Sequence, residues 1–450
     1  MRMPKVPKPF DSLLPSGERL VKILSSDIGS LPRGKYPHWD NLRFRPQPEG
    51  FSHDEWWFAI KNKRLGSRHE LPFEDKLGNS FWFADSGYLY RRLHQIDRDA
   101  SGRIEVDQTP DGVSDNARER YLISSLIEEA ITSSQLEGAT TTRRIAKELL
   151  RSGRSPRDLS ERMIVNNYFA MEFLRENTHE DLTLDMLLEV QRLLTQQTLD
   201  DASSVGRLRK PSEDVYIVDP RDGTILHTPP DAGALKSRLD RLLTFANTQD
   251  DNRFVHPVIR AILLHFMIGY DHPFVDGNGR TARALFYWSM ARSGYWLTEF
   301  LSISTIIRKA PAQYGRAYLY CETDDSDVTY FIDYNLRVIL RAMESLHLYL
   351  KRKTQEARAM EALLRGEYLA ELLNHRQIAV LAHMLKHGDF TYSIQSHRRS
   401  HNISYQTART DLLQLADLKL ASKRKVRRQL IFRPNPDLEN RLQELAPSPN

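Results

Sequence analysis

Two segments of this chain are apolar on nearly every helical face, and a loop rich in charge and glycine joins them. The first is Val258-Ile259-Arg260-Ala261-Ile262-Leu263-Leu264-His265-Phe266-Met267-Ile268-Gly269-Tyr270, with apolar positions at three- and four-residue spacing and more between them. The second runs from Ala282 to Arg292 and stops at Ser293-Gly294, which suits a helix C-cap. Helices of this kind are mostly buried. They predict a mostly α fold with the joining loop held rigidly between two core helices. His265 sits mid-helix and reads as a core histidine.

The loop is His272-Pro273-Phe274-Val275-Asp276-Gly277-Asn278-Gly279-Arg280-Thr281-Ala282-Arg283. Its residue types suit the chemistry of a nucleoside triphosphate. Glycines let backbone N–H groups approach phosphate oxygens with no Cβ in the way. A helix starting near Gly279 aims its free N–H groups and positive dipole end at the same phosphates. Arg280 and Arg283 lie three apart and share a helix face. Asp276 is a hard oxygen ligand suited to Mg²⁺. His272 titrates near neutrality and can take a proton from an attacking hydroxyl. Any one of these residues alone fits an ordinary turn and a solvated helix start.

Together they form HxFx(D/E)GNGRxxR without a mismatch. In this the chain resembles the Fic family of nucleotidyl transferases. The resemblance implies transfer of AMP from ATP to a Ser, Thr or Tyr hydroxyl of a target protein. It implies His272 as base, Phe274 as the core anchor of the loop and Asp276 as the Mg²⁺ ligand. Gly277, Asn278 and Gly279 are implied as the phosphate cradle, Arg280 and Arg283 as contacts to the outer phosphates. The related Doc kinases carry a different sequence in place of Gly-Asn-Gly, so this loop favours nucleotide transfer over phosphate transfer.

Upstream, Val215-Tyr216-Ile217-Val218 alternates like a strand, Asp219 to Thr224 turns, and Ile225-Leu226-His227 returns. An exposed hairpin offers unpaired main-chain groups. The resemblance implies a flap that docks the target segment through Val215, Tyr216 and Ile217. Gly206-Arg207 before it and Pro229-Pro230 after it also fit the family. Tyr314 and Tyr318 read as core packing ahead of nucleobase contact.

Ser133-Ser134-Gln135-Leu136-Glu137-Gly138 ends an amphipathic run from Tyr121 in which Leu122, Leu126, Ile127, Ala130 and Ile131 recur at helical spacing. Ser133 and Glu137 are four apart and project from one face, and Gly138 ends the helix. Beside the loop motif, this stretch resembles the family's inhibitory motif (S/T)xxxE(G/N). The resemblance implies that Glu137 takes the Arg283 guanidinium bidentately in place of the γ-phosphate of ATP. The α-phosphorus then fails to line up with the incoming hydroxyl. In some relatives the same Glu positions water for removing AMP.

The length, 450 residues, suggests about three domains. Residues 1–112 read as an N-terminal extension rich in Pro, Trp and Phe, with Trp39, Trp56, Trp57 and Trp82 packing it onto the core. Helices are expected near Ser16–Ser26 and Phe81–Ile96, and a boundary loop over Asp107–Ser114. Residues 113–375 read as the Fic-like core, with the inhibitory helix near 121–138. The run from Glu356 to Asn374 reads as a helix that connects or dimerises. Residues 376–450 read as helices over Arg376–Gly388, Thr391–Ser400 and Tyr405–Leu418, with Ser404 as an N-cap, and a basic hairpin over 421–432. That order resembles a winged helix-turn-helix. Lys423, Arg424, Lys425, Arg427, Arg428 and Arg433 have no acid among them and suit phosphate contacts to DNA. A solvated ribbon and a protein-docking domain stay open as alternatives.

Hydrophobic content of 40% and charged content of 27% are those of a globular protein, and the net charge of +5 is mild. The single cysteine, Cys321, excludes an intramolecular disulfide and fits a reducing compartment. MRMPKVPKPF has no apolar run after it, so no signal peptide is expected. No segment approaches the roughly 18 apolar residues of a membrane span, and no Cys/His cluster has zinc-ligand spacing. The expectation is a cytoplasmic, autoinhibited protein adenylyltransferase using ATP and Mg²⁺, with a target protein as partner and DNA or a second copy as further candidates. Transfer of another nucleotide, or removal of AMP, is the alternative at the same site. A reading of a different class is a DNA-binding regulator whose core only senses nucleotide; the intact His272 argues against it, since sensing needs no base.

Overall fold

The computed structural model of the chain describes residues 2–100, 115–248, 253–364, 367–386, 388, 390–426 and 429–445; the expected boundary loop over Asp107–Ser114 lies outside them. They form two compact units, Met1–Leu346 and His347–Asn450. In the first, α1 (Gly17–Leu24), α2 (Trp39–Leu42) and α3 (His53–Leu65) lead to an antiparallel hairpin of β1 (Arg68–Glu74) and β2 (Ser80–Ala84), then α4 (Gly87–Ala100). Next come α5 (Asp115–Leu136), α6 (Arg143–Ser152), α7 (Leu159–Glu176) and α8 (Leu184–Thr195). A second hairpin, β3 (Ile217–Val218) and β4 (Ile225–His227), precedes α9 (Leu235–Asn247), α10 (Pro257–Asp271) and α11 (Asn278–Arg292). The unit continues through α12 (Ile303–Lys309) and α13 (Pro311–Thr323) into α14 (Thr329–Leu364), which passes the division between the units. The fold is mostly α, as the sequence predicts.

The two apolar segments are α10 and α11, and they are core helices. Pro257 occupies the first turn of α10, where its missing N–H costs nothing, and His256 Nδ1 accepts from the Val258 N–H. Ile262, Leu263, Leu264, Phe266, Ile268, Leu285 and Met290 are fully buried. His265 is a core residue: its Nε2 lies 2.8 Å from the Tyr314 hydroxyl, and burial pushes the imidazole down to about 3.

One helix expected from the sequence is split. Residues Ser80–Ala84 are a strand, and the helix begins only at Gly87. Phe81, Trp82, Phe83 and Ala84 are all buried, and the Trp82 backbone bonds outside its hairpin, donating to the Ser326 carbonyl at 3.2 Å and accepting from Val328 N–H at 2.8 Å. Those long-range bonds outweigh local helix propensity. The tryptophan-rich residues share the first unit with the loop helices. Trp82 joins the main core, while Trp56 and Trp57 close a smaller one with Leu13, Ile23 and Leu42. Buried polar contacts complete the junction: Lys61 Nζ to Asp324 Oδ1 at 2.6 Å, Tyr36 hydroxyl to Asp327 at 2.6 Å, and Arg64 to the Tyr330 hydroxyl at 2.8 Å.

The second unit holds α15 (Glu367–Leu372), α16 (His375–Lys386), β5 (Tyr392–Ser393), α17 (Ile394–His401), α18 (Tyr405–Asp417), β6 (Ala421–Val426), β7 (Gln429–Pro434) and α19 (Leu438–Leu445). Its antiparallel sheet has the order β5-β7-β6. Tyr392 pairs with Phe432, so the helix expected over Thr391–Ser400 gives up its first residues to a strand. Ser404 caps α18 as read, accepting from Thr407 N–H at 3.0 Å. Leu381, Leu412, Leu415, Leu420, Phe432 and Leu442 form the core of this unit. Among the described residues, no helix is long and apolar enough to cross a membrane.

Candidate active site

His272 is the residue on which α10 ends. Its backbone is left-handed, φ 46°, which non-glycine residues seldom adopt. Its Nδ1 lies 2.8 Å from the Gly269 carbonyl. A carbonyl only accepts, so Nδ1 carries the proton and Nε2 of the neutral ring keeps its lone pair. Burial lowers the imidazole from its ordinary value, and the Gly269 bond and the Glu137 charge offset this only in part. The neutral form is the one a base needs.

Phe274 is fully buried and anchors the loop in the core. The Asn278 side chain clasps it, accepting from Phe274 N–H at 3.0 Å and donating to the Phe274 carbonyl at 2.8 Å. The amide expected in the phosphate cradle is thus committed to the loop's own backbone. Gly277, at φ 90°, is the N-cap of α11, and a Cβ there would come within 2.9 Å of Thr195 Cγ2. At Gly279 an added Cβ would meet Glu137 Oε1 at 2.2 Å. A carboxylate therefore stands over the first turn of α11, at the positive end of the helix.

The arginines are buried and engaged. Arg280 donates to the Leu194 carbonyl and to Asp276 Oδ2, each at 2.9 Å, while its Nε is buried with no partner. The Asp276 side chain is about half exposed. Arg283 donates from Nε to Ser133 Oγ at 2.8 Å, and from Nη2 to the Ser133 carbonyl at 3.1 Å and Glu137 Oε1 at 2.9 Å. The bidentate pair expected from the sequence is divided: Glu137 takes one guanidinium nitrogen through one oxygen, and Ser133 takes the rest of that edge. Burial works against the Glu137 charge, but Arg283 and then Arg280 outweigh it and hold the carboxyl below its usual range. Gly138, at φ 100°, lets the chain leave the helix there.

Within the Ser133–Gly138 stretch, Ser133 and Ser134 are buried, while Glu137 and Gly138 remain exposed to solvent. Ser134 Oγ donates to the Met163 carbonyl of α7 at 3.1 Å. One turn earlier than Ser133, the buried Glu129 carboxylate accepts from the hydroxyls of Tyr287 and Ser302 at 2.9 and 2.8 Å and from Ser304 N–H at 3.2 Å. Tyr287 lies on α11, one turn after Arg283, so α5 meets α11 at two levels.

Against known proteins, residues 181–290 match the Fic/DOC family. The chain carries a Fic domain. The Protein adenylyltransferase Fic of Drosophila melanogaster is 28% identical over 214 residues, 46% of this chain and 39% of that protein. The protein of the same name from Nematostella vectensis is 31% identical over 116 residues, 26% of this chain and 24% of its own. The chain therefore spans well under half the length of these relatives. Among solved structures, a Fic family protein from Desulfovibrio desulfuricans matches 77% of this chain and 95% of its own, at 20% identity and TM-score 0.47. Fic-1 from C. elegans matches 70% and 81%, at 19% identity and TM-score 0.48.

The hairpin inside the Fic domain is short. Ile217 pairs with His227 and Val218 with Ile225. Tyr216, Val218 and Ile225 are exposed, Val215 and Ile217 half-buried. Buried His227 anchors the return strand, its Nε2 2.7 Å from the Tyr270 carbonyl. Tyr318 stacks on Phe266, and its hydroxyl donates to the His265 carbonyl at 3.3 Å, as core packing requires. Two residues of the Fic domain are missed by sequence reasoning. Gln191 on α8 donates to the Asp276 carbonyl at 3.2 Å and accepts from Gly206 N–H at 2.6 Å. Arg209 bonds the carbonyl of His272 itself at 2.8 Å. The nearest sequence signal for either is the Gly206-Arg207 pair beside them.

Proposed function

We propose that this chain is an autoinhibited protein adenylyltransferase that moves AMP from ATP to a hydroxyl of a target protein. The observation carrying this reading is the Glu137 carboxylate over Gly279 and on Arg283, an anion where the family pattern needs a phosphate oxygen. Removal of that carboxylate frees a helix N-terminus and a buried guanidinium together. His272 Nε2 then takes the proton of the target hydroxyl, whose oxygen attacks the α-phosphorus; the bond to the β-phosphate oxygen breaks and pyrophosphate leaves. Arg283, Arg280 and the N–H groups of the Gly277–Gly279 turn meet the phosphate charge.

The donor set fits Mg²⁺ bound in the way this ion usually arrives with a nucleotide, through one carboxylate and phosphate oxygens. Asp276 is half exposed and pairs with Arg280 through Oδ2, and among the described residues the Arg280 Nε has no hydrogen-bond partner and is left for an incoming anion. Bound there, the ion would neutralise phosphate charge. The exposed edge of the flap supports main-chain docking of the target near Val215–Ile217.

ATP labelled on the α- or the γ-phosphate, incubated with the Glu137→Gly variant, tests the reaction class. AMP transfer leaves only the α-label on protein. γ-Label alone would mean phosphoryl transfer, and neither would sink the proposal.

For the second unit we infer nucleic-acid binding, because its elements follow the order of a winged helix-turn-helix. The observation favouring it is β6, whose Lys423, Arg424 and Lys425 are exposed in succession. Gln406, Arg409 and Thr410 are exposed on α18, while Asp411, the acid beside them, is buried on Arg376 and His397.

A further inference from the structure

We infer that Arg209 is a positioning residue for His272, holding the backbone of the candidate base and joining it to the flap. The inference rests on the transferase reading above. Arg209 is buried on the segment that precedes the hairpin. Its Nε donates to the His272 carbonyl at 2.8 Å, and its Nη2 to the Pro230 carbonyl at 2.5 Å and the Asp271 carbonyl at 3.4 Å. Its backbone N–H donates to the Pro273 carbonyl at 2.9 Å. One residue thus holds three successive carbonyls, from the last residue of α10 into the catalytic loop, and, through Pro230, the chain just after the flap.

A buried cation committed to carbonyls is expensive to desolvate, and its planar fork is what lets one side chain serve two segments. Lysine has the charge without the fork. The held segment is the one whose left-handed turn at His272 aims the ring. A target strand that shifts the flap would act on the base through this guanidinium. The charged and titratable groups facing His272 are Arg209, His227 on β4 and Glu137 after α5. The two basic residues disfavour the imidazolium and Glu137 favours it.

The test compares Arg209→Met and Arg209→Lys in the Glu137→Gly protein. In the Met variant kcat for AMP transfer should fall about 100-fold, the scale of a base misplaced by about 1 Å. KM for ATP should stay within about threefold, since no phosphate contact is touched. Lys should recover part of kcat. NMR of labelled histidine should find the His272 ring titrating at higher pH in the Met variant and near its parent value in the Lys variant. An unchanged kcat in either variant, or KM rising as steeply as kcat falls, overturns the inference. If the Met variant does not fold, the Lys variant decides by the same kcat and KM criteria. If the Glu137→Gly parent itself transfers nothing, the transferase reading fails, and the NMR comparison still decides the role of Arg209: an unmoved His272 titration refutes it.

Discussion

At His272 the backbone, the ring and the surroundings impose one chemical form. The αL turn directs the side chain, Gly269 fixes the tautomer, and burial keeps the ring neutral. Replacing His272 by Ala should lower AMP transfer by about 10²–10⁴-fold, the usual worth of a general base. ATP binding, read by calorimetry, should be nearly unchanged, because the imidazole acts on the hydroxyl; wild-type turnover in the variant would remove His272 from the mechanism. Since the imidazole is lowered from 6.5, the acidic limb of transfer in the Glu137→Gly protein should have its midpoint below that pH. Glu137 titrates in the other sense. Its carboxyl is held below 4.5, so its ion pair with Arg283 persists as pH falls towards that value. Basal transfer by the native chain should therefore show no rise between about pH 8 and pH 5, and a rise in that window would place the brake elsewhere.

Among the elements, α5 is fixed at two levels, by Glu137 on Arg283 and by Glu129 on Tyr287, Ser302 and Ser304. Glu129→Ala would strip the Ser304 N–H of its carboxylate acceptor, while the Tyr287 hydroxyl keeps the Leu301 carbonyl and the Ser302 hydroxyl keeps Thr305, at a cost of roughly 1–3 kcal/mol. The expected outcome is a lower melting temperature together with raised basal labelling. A lower melting temperature with unchanged labelling would mean that Glu137 holds its place without Glu129. What the sequence made legible here was local. Apolar periodicity marked α10 and α11, Gly138 marked the end of α5, and the start of α11 was expected near Gly279, one residue past its first residue Asn278. Strand β2 was illegible because a short run such as Phe81–Phe83 suits either a helix or a strand, and only distant Ser326 and Val328 decide it. Gln191 and Arg209 were missed for a related reason: a polar side chain reads as solvated until the fold buries it. The division of Arg283 between Ser133 and Glu137 depends on side-chain placement, which residue spacing does not encode.

At the scale of the whole molecule, the Fic domain and the segment that opposes it lie within the first unit. A chain ending at Leu364 should therefore keep the transfer activity and the brake. Nucleic-acid binding is proposed for the second unit alone. If Lys423, Arg424 and Lys425 contact phosphates, log affinity for duplex DNA should fall against log salt by roughly 0.9 per contact, and neutralising two of them should flatten the slope by about two contacts. No mobility shift at low salt would point to a protein-docking role for this unit. The central claim is that a carboxylate of the chain occupies the place of a phosphate, and it has one direct measurement. Auto-modification with α-labelled ATP is compared in the native chain, in Glu137→Gly and in Glu137→Gly with Arg283→Ala. The account predicts a strong rise in the single variant and a return to background in the double, because the gain requires the guanidinium that Glu137 releases. Equal labelling of the native chain and Glu137→Gly, or a double variant as active as the single, would contradict it.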